Sequence, residues 1–369
     1  SSQNEFAPVK SQWKNPNDIL SILMIIGGDL VQRAVAQLAG AGPFFLTPVA
    51  FSFGWVSYSL NALLSSVGDG RLMPPADTPS IIVNAKNGYI RTNQSWVLGR
   101  LLRDHRTRHD KEVRGMTVTI YQTSSSKTMG VPDYDWIYWI GWLTILIQHA
   151  IAVIPGVIHN NWVVLLITAS GTLLALAGGA LPQWKAEKWA ARSVHSPSSP
   201  PKVKREVACL TRGNGSRHVI VIVSEGAGLR LEDLAAARDA RSVYSIPITG
   251  VLFVLWVAHL LTVAGVQDDA WYLFVVGGLG MLQNVVAAGA AREASALGIH
   301  LEGEHIIYGE KVFAALKEAE MHEPGVGICL IPVFFPGALR EDEIAWRDAR
   351  IADNRKREEN RKPKGKEGK

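Results

Sequence analysis

The sequence predicts an α-helical polytopic membrane protein: six transmembrane helices arranged as three hairpins, plus one cytoplasmic α+β domain assembled from the inter-hairpin loops and the C-terminal segment. Apolar residues make up 47% of the 369 residues and charged residues only 19%, against roughly 25% charged in an ordinary soluble protein. The charges fall in blocks that long, nearly uncharged stretches separate. This pattern excludes a collagen, a coiled coil and a mainly disordered chain, and it argues against a purely soluble enzyme.

The uncharged stretches are long enough to cross a bilayer, which takes about 20 mostly apolar residues per helix. The six predicted spans are 18–42, 44–66, 136–158, 161–183, 243–265 and 270–291. Very short links, at 40–43, 159–160 and 267–269, join the members of each pair, so paired helices must be antiparallel. The predicted hairpins are therefore 18–66, 136–183 and 243–291. The alternative is a soluble protein with six buried core helices, which the near absence of Lys and Arg from these long hairpins disfavours.

The positions of lysine and arginine predict the orientation. The tail 1–17 carries 2 of them, the loop 67–135 carries 10, the loop 184–242 carries 11 and the segment after residue 291 carries 14. The three hairpin links carry none, and the remaining cation is Arg33 inside the first span. Because cytoplasmic loops are enriched in Lys and Arg, both termini are predicted to be cytoplasmic. The sequence does not indicate which cellular membrane holds the protein.

The cytoplasmic segments contain periodic runs of their own. Strands are predicted at 80–84, 116–122, 206–211, 218–224 and 326–335, and helices at 93–114, 230–240, 310–320 and from Glu341. Asn214-Gly215 between two β-rich runs is a strong hairpin signal. The stretch 193–201 is predicted to be a flexible link. The segment 292–354 is predicted to be folded, and the basic end 355–369 to be a disordered tail.

No single loop supplies enough strands for a stable sheet, because an isolated hairpin is marginal. We therefore expect the three segments to form one domain; the alternative is three independent small modules. Cys209 and Cys329 both lie in these segments, and reduced thiols are expected on the cytoplasmic side.

Ionisable and amide side chains inside the spans are candidates for an intramembrane polar site, since such groups are costly in a bilayer. Asp29 and Arg33 are spaced i, i+4 on one helix face and are expected to neutralise each other. The other candidates are Gln148, His149, His259, Gln283 and Asn284. One interpretation is a shared polar site between helices. The other is interhelical hydrogen bonding that only fixes packing.

Two motifs in the loops suggest weaker hypotheses. His105 and His109 are spaced i, i+4, as metal ligands on a helix can be, but the cations of the same run oppose a divalent ion, and no metal is expected. A basic face that attracts anionic headgroups is the preferred interpretation. Gly226 and Gly228 lie between a strand and a helix, where backbone N–H groups can bind phosphate. The third glycine of a dinucleotide fingerprint is missing, so the signal is weak.

Two stretches carry a resemblance to a known family: 15–33 (NPNDILSILMIIGGDLVQR) and 211–222 (TRGNGSRHVIVI). They resemble a family of uncharacterised fungal multi-pass membrane proteins, over most of the chain up to about residue 340. The resemblance implies a fungal membrane origin and no activity. No catalytic residue or cofactor is implied by it.

Three functions are open at this point. The first is a transporter or channel-like protein with a polar intramembrane site and a cytoplasmic regulatory domain. The second is a membrane-embedded enzyme that acts on a lipid or another apolar substrate, although the sequence has no nucleophile elbow, Walker lysine loop, zinc spacing or paired CxxC. The third is a non-catalytic scaffold. The expected partners are a bilayer with an anionic cytoplasmic leaflet and a second copy of this chain; no nucleic acid is expected.

Overall fold

The computed structural model describes residues 27–40, 46–68, 70–109, 115–194, 205–238 and 244–361. In chain order the described helices are α1 (Gly28–Leu38), α2 (Trp55–Val67), α3 (Trp96–His109), α4 (Trp136–His159), α5 (Val163–Gly179), α6 (Pro182–Lys188), α7 (Leu231–Ala235), α8 (Ser245–Ala264), α9 (Ala270–Gly289), α10 (Ala294–Leu297), α11 (Val312–His322), α12 (Val326–Phe334) and α13 (Glu341–Arg361). The strands are β1 (Ile81–Asn84), β2 (Ile90–Thr92), β3 (Met116–Thr123), β4 (Arg205–Thr211), β5 (His218–Glu225) and β6 (Leu301–Gly309).

The chain folds into two compact units, and each unit is built from three separate stretches. The membrane unit comprises Ser1–Pro75, Gly130–Ala190 and Arg238–Ile299. The sheet unit comprises Ala76–Met129, Ala191–Ala237 and His300–Lys369. The sheet unit thus corresponds to the domain that the loop sequences predict, while its cytoplasmic location stays a prediction.

Four helical runs are long and apolar enough to cross a membrane: Trp136–His159, Val163–Lys188, Ser245–Ala264 and Ala270–Gly289. They correspond to the last four predicted spans. The first predicted span, 18–42, is described only in part, and there α1 is a helix of 11 residues. Residues 18–26 and the link 41–43 lie outside the described residues.

The prediction of a continuous span at 44–66 is wrong in its first half. Residues 46–52 are not helical, and α2 begins only at Trp55. Pro48 has no backbone N–H and disfavours helical geometry at the residue before it. An apolar run of the right length therefore contains a break that its composition does not reveal.

The long helices of the membrane unit turn apolar side chains outwards. Leu146 on α4, Leu173 on α5, Val254 on α8 and Leu282 on α9 are each more than 60% exposed. The buried positions of the same helices include glycines and amides. Water disfavours extended apolar surfaces of this kind, whereas lipid tolerates them. The arrangement is that of an integral membrane protein and argues against six buried core helices of a soluble one.

One six-stranded sheet takes strands from all three loop segments, in the order β2-β1-β4-β5-β3-β6. β3 and β5 are parallel, and the other neighbours are antiparallel. Val118, Val219 and Val221 of the sheet join Leu316 of α11 and Leu330 of α12 in one buried core. The three loop segments thus contribute strands to one sheet rather than to three separate ones.

The strand predicted at 326–335 is wrong, because this segment forms α12. Gly325 precedes the helix at a φ of 97°, and the Glu320 carboxylate accepts hydrogen bonds from the N–H groups of Gly325 and Ile328. An unbroken apolar run has no periodicity that separates a buried helix from a buried strand. The sheet instead contains β2 and β6, two strands that were not predicted from the sequence.

The limits of the other predicted helices in the loop segments differ less from those observed. The helix predicted at 93–114 is α3, the one at 230–240 is only the five-residue α7, and the one at 310–320 is α11. The prediction of disorder from residue 355 is wrong for its first part, because α13 continues to Arg361 with a run of charged side chains that suits an exposed helix. Residues 362–369, most of the predicted link 193–201 and the predicted tail 1–17 lie outside the described residues.

The two cysteines meet in the sheet unit. Cys209 on β4 and Cys329 on α12 are buried free thiols with their Sγ atoms 3.9 Å apart. The hydrogen bond with Cys329, together with burial, raises the pKa of the Cys209 thiol. Both effects keep the group protonated.

Candidate functional site

The strongest candidate site lies where the non-helical segment 46–54, here called the buried segment, passes between the helices of the membrane unit. Val49, Ala50, Phe51 and Ser52 are all buried there. Backbone N–H and C=O groups outside a helix must find other partners in an apolar surrounding. The partners include the indole N–H of Trp55, which donates to the Ala50 carbonyl oxygen at 3.0 Å, and the amide side chains predicted from the sequence.

Two glutamines bind the backbone of the buried segment. Gln148 on α4 donates from Nε2 to the carbonyl oxygen of Phe51 at 2.7 Å and to that of Val276 at 2.8 Å. Gln283 on α9 accepts at Oε1 from the Ala50 N–H at 3.1 Å. Each glutamine thereby replaces a bond that a continuous helix would supply itself.

Two further side chains complete this attachment. Asn284 on α9 donates from Nδ2 to the hydroxyl of Ser52 at 2.7 Å. Thr47 donates to the carbonyl oxygen of Gly179, at the end of α5, at 2.9 Å. Three of the predicted site residues, Gln148, Gln283 and Asn284, are thus brought together by one segment.

The helices around the buried segment carry glycines where it passes. They are Gly141 on α4, Gly171 on α5, and Gly277 and Gly280 on α9. A Cβ atom at Gly280 would overlap the Phe51 carbonyl group, and one at Gly141 would overlap that of Pro48. The close approach that lets the amides reach the backbone therefore depends on residues without side chains.

His259 on α8 lies beside the same segment. Its ring contacts the ring of Phe51 edge-on, with centroids 5.2 Å apart, and its Nδ1 is 3.3 Å from the hydroxyl of Ser170. His149, by contrast, is half-buried, and its Nδ1 bonds to the carbonyl of Ile145 in its own helix. Of the two predicted histidines, His259 belongs to the site and His149 does not.

Several polar atoms of this cluster are buried without a hydrogen-bond partner among the residues that the structure describes. They are Gln148 Oε1, Asn284 Oδ1 and His259 Nε2. Nearly all buried polar atoms in proteins are paired, so each exception calls for an explanation. These three atoms are candidate contacts for a polar ligand.

Asp29 and Arg33 do not join the amides. Both side chains are exposed on α1, whereas Gln148, Gln283 and Asn284 are buried. Within the described residues Asp29 forms no ion pair with Arg33, so the predicted mutual neutralisation is not seen.

A polar pocket lies at the end of the membrane unit formed by the links after α4 and α8. Its volume is about 690 Å³, and His159, Asn161, Gln267, Asp268 and Asp269 contribute its polar lining. Asp269 accepts from Asn161 Nδ2 at 3.0 Å and lies 2.9 Å from His159 Nδ1. The positive-inside pattern predicts that this end faces away from the cytoplasm.

The phosphate-binding hypothesis for Gly226 and Gly228 is not supported. The carboxylate of Glu206 accepts a hydrogen bond from the N–H of Leu231 at 3.0 Å, at the start of α7. A phosphate would need such donors and would be repelled by this carboxylate. Burial raises the pKa of Glu206; the backbone bond opposes that shift without reversing it.

The sheet unit has a basic pocket beside the β4–β5 turn. It measures about 450 Å³ and is lined by Arg106, Arg212, Asn214, Gly215, Ser216, Arg217 and His218. A smaller pocket shares Arg106, Arg212 and His218 and adds Arg103. The basic run that was predicted to attract anionic headgroups therefore contributes to a concave surface, together with a turn more than 100 residues further along the chain.

His105 and His109 lie on α3 with Glu304 of β6 close by. The three ligand atoms are all within 4.8 Å of one another. Burial lowers the pKa of His105 to about 3, and the nearby His109, His218 and Arg108 add to that effect. His105 is therefore neutral at physiological pH.

Comparison of the chain with protein-family models, with curated proteins and with solved structures finds no match. No activity can be carried over from a relative. The resemblance to fungal membrane proteins stays a prediction.

Sequence reasoning missed a set of buried charges at the end of α1. Lys188 donates to the carbonyl oxygens of Gln37 and Ala39 at 3.3 and 2.9 Å, and Arg292 donates to Gln37 O at 2.9 Å while pairing with Asp135. The dipole of a helix favours an arginine cation at its C-terminus. Lys188 and Arg292 were counted among the loop charges because they follow the predicted ends of spans, and nothing local in the sequence marks them as buried.

Proposed function

We propose that the membrane unit carries a small cation or a hydrogen-bonding solute across the bilayer, as a transporter or channel-like protein. The observation that carries this proposal is the group of buried, unpartnered polar atoms around Phe51: Gln148 Oε1, Asn284 Oδ1 and His259 Nε2. Two amide oxygens and an imidazole nitrogen can replace part of the hydration shell of an ion or solute. In a water-poor interior such capacity is costly to maintain unless a ligand uses it.

The way in which the buried segment is held also supports movement. Discontinuous helices near the site are a recurring feature of secondary transporters. The backbone of Ala50 and Phe51 is bound by side chains rather than by a helical ladder. Since a net hydrogen bond is worth about 0.5–1.5 kcal/mol, amide side chains can exchange partners at modest cost while the surrounding helices stay intact.

Proton movement is the most direct probe, because the His259 imidazole is the one member of the group that can accept and release a proton. Purified protein would be reconstituted in liposomes that contain a pH-sensitive dye, and a potassium diffusion potential would drive proton entry. We expect the internal pH to change faster than in protein-free liposomes. His259→Gln should slow this change about tenfold, which corresponds to about 1.4 kcal/mol in the barrier.

His149→Gln is the matched control, since His149 bonds only to its own helix and should leave the rate unchanged. A rate equal to that of protein-free liposomes would contradict proton transport. A raised rate that His259→Gln does not lower, or that His149→Gln lowers equally, would remove His259 from the path.

A second observation, the basic pocket, favours a regulatory role for the sheet unit. Three arginines and the polar Asn214–Ser216 turn suit a phosphate-bearing anion, because guanidinium groups bind phosphate through paired hydrogen bonds. We propose that such an anion, of the kind an anionic lipid headgroup presents, binds here and controls the membrane unit. The alternatives of an embedded enzyme and a scaffold gain no comparable observation.

Anion binding predicts a thermal shift in the full chain. Inorganic phosphate should raise the Tm relative to chloride at equal ionic strength. Arg212→Gln should reduce that shift, because Arg212 is an exposed side chain that lines both parts of the pocket. Arg347→Gln, on α13 and outside the pocket, should not. Equal Tm values in the two salts would contradict the proposal.

A further inference from the structure

A third potential metal ligand lies beside the histidine pair of α3, on a strand that was not predicted from the sequence. Glu304 of β6 brings a carboxylate to His105 and His109, and β6 reaches this position by pairing with β3. The Nε2 atom of His109 is 3.3 Å from Glu304 Oε1. Two ligands at the usual 2.0–2.1 Å from a tetrahedral zinc ion are about 3.3–3.4 Å apart, so this pair already has the separation that one ion would impose.

His105 supplies an independent observation. Its side chain is 6% exposed, and neither ring nitrogen has a hydrogen-bond partner among the described residues. A buried imidazole without any partner loses the hydrogen bonds that it would have in water. The His105 ring stacks on that of His109, with centroids 4.2 Å apart, so one of the two rings turns when both bind the same metal ion. The ion would then restore a strong interaction to His105.

The neighbouring bonds orient the other two donors. His109 bonds through Nδ1 to the carbonyl of His105 at 2.9 Å, which makes Nδ1 the protonated nitrogen and directs the lone pair of Nε2 towards the site. The hydroxyl of Tyr121 donates to Glu304 Oε1 at 2.5 Å. Hydrogen bonds from residues behind the ligands are typical of metal sites, where they fix the ligand orientation.

We propose that His105, His109 and Glu304 bind a divalent transition-metal ion of the zinc class. Two imidazoles and one carboxylate suit such an ion, and three protein ligands leave a position for water or another ligand. The cations of α3 opposed a metal when only the helix was considered; the Glu304 carboxylate supplies the negative charge that was missing. This inference is independent of the proposed transport function.

The test uses the full chain in detergent micelles, stripped with a chelator and titrated with zinc alone. We expect one zinc ion per chain at micromolar or tighter affinity and a rise in Tm. Glu304→Gln and His109→Gln should each weaken binding at least about tenfold, and Tyr121→Phe should weaken it about tenfold through the orientation of Glu304. Cobalt in place of zinc should give an absorption band that these variants lose.

A second histidine pair in the same unit provides the matched control. His305 and His322 are exposed, with their Nε2 atoms 3.2 Å apart, and could hold a surface ion without Glu304. His322→Gln should leave the zinc affinity unchanged. Zinc binding that His322→Gln abolishes, or that Glu304→Gln and His109→Gln leave unaltered in folded protein, would overturn the proposal, as would the absence of stoichiometric binding.

Discussion

Gly280→Ala should prevent the membrane unit from folding correctly, whereas Gly278→Ala, two residues earlier on α9, should be harmless. A Cβ atom at Gly280 would overlap the carbonyl group of Phe51 and lie 2.8 Å from Nε2 of Gln148. At Gly278 a Cβ atom would meet nothing within 4 Å. Overpacking costs typically about 1–3 kcal/mol, and here the atom that must move is backbone that also accepts a hydrogen bond.

We therefore expect Gly280→Ala to lower the free energy of unfolding by about 3 kcal/mol or more, since it adds loss of the Gln148 bond to the overlap. The measurement is the yield of monodisperse protein in detergent and its thermal stability. Gly278→Ala controls for the general effect of alanine in a helix, which is slightly favourable. A Gly280→Ala protein as stable as the wild type would show that the buried segment does not lie against α9.

The sequence predicted the membrane helices well where length and apolar composition were sufficient. For α4, α5, α8 and α9 the apolar run and the helix coincide closely. The same criterion failed for the buried segment, because its residues are as apolar as those of a membrane helix. Pro48 is a local signal for the break, but the side chains that hold the segment, Gln148 and Gln283, are far away in the chain.

The sheet unit shows the same limit. β3, β4 and β5 were predictable from alternation and from the Asn214-Gly215 turn. β6 was missed because Glu302, Glu304 and His305 resemble a solvated loop, although charged side chains are usual on an edge strand. Missing β6 also hid the third donor near His105 and His109.

For the candidate site, the sequence singles out the amides but not their role, and it also suggests Asp29, Arg33 and His149, which lie apart from the buried segment. Amides within spans are rare enough to stand out, and Gln148, Gln283 and Asn284 do meet. The sequence left open whether they form a polar site or fix the packing of helices. The structure shows that they bind the backbone of the buried segment, while Gln148 Oε1 and Asn284 Oδ1 keep unused capacity.

Gln148→Met is expected to have the second large effect. Methionine keeps the length and apolar stem of the side chain but donates no hydrogen bond, so the carbonyls of Phe51 and Val276 lose a donor. A buried acceptor that is left without a hydrogen-bond donor lowers the stability by about 1–3 kcal/mol. Val276 is within α9 and keeps its helical environment, whereas Phe51 is outside any helix, so most of the loss should come from Phe51.

Interhelical hydrogen bonds in membranes average only about 0.6 kcal/mol, because a separated helix satisfies its own backbone. That compensation does not apply to a non-helical carbonyl, and we expect Gln148→Met to cost about 2–3 kcal/mol. His149→Leu, the adjacent position on α4, is the matched control and should cost less than about 1 kcal/mol. The comparison is made by thermal unfolding in the same detergent.

The outcome separates two descriptions of the buried segment. Equal losses for Gln148→Met and His149→Leu would mean that the amide bond to Phe51 is no stronger than an ordinary interhelical contact. A large loss confined to Gln148→Met would identify the side-chain bonds as the main attachment of the segment. In that case the segment can shift only when Gln148 releases Phe51 O, and the same variant should alter the proton flux as well as the stability, because a transport path beside Phe51 requires that exchange.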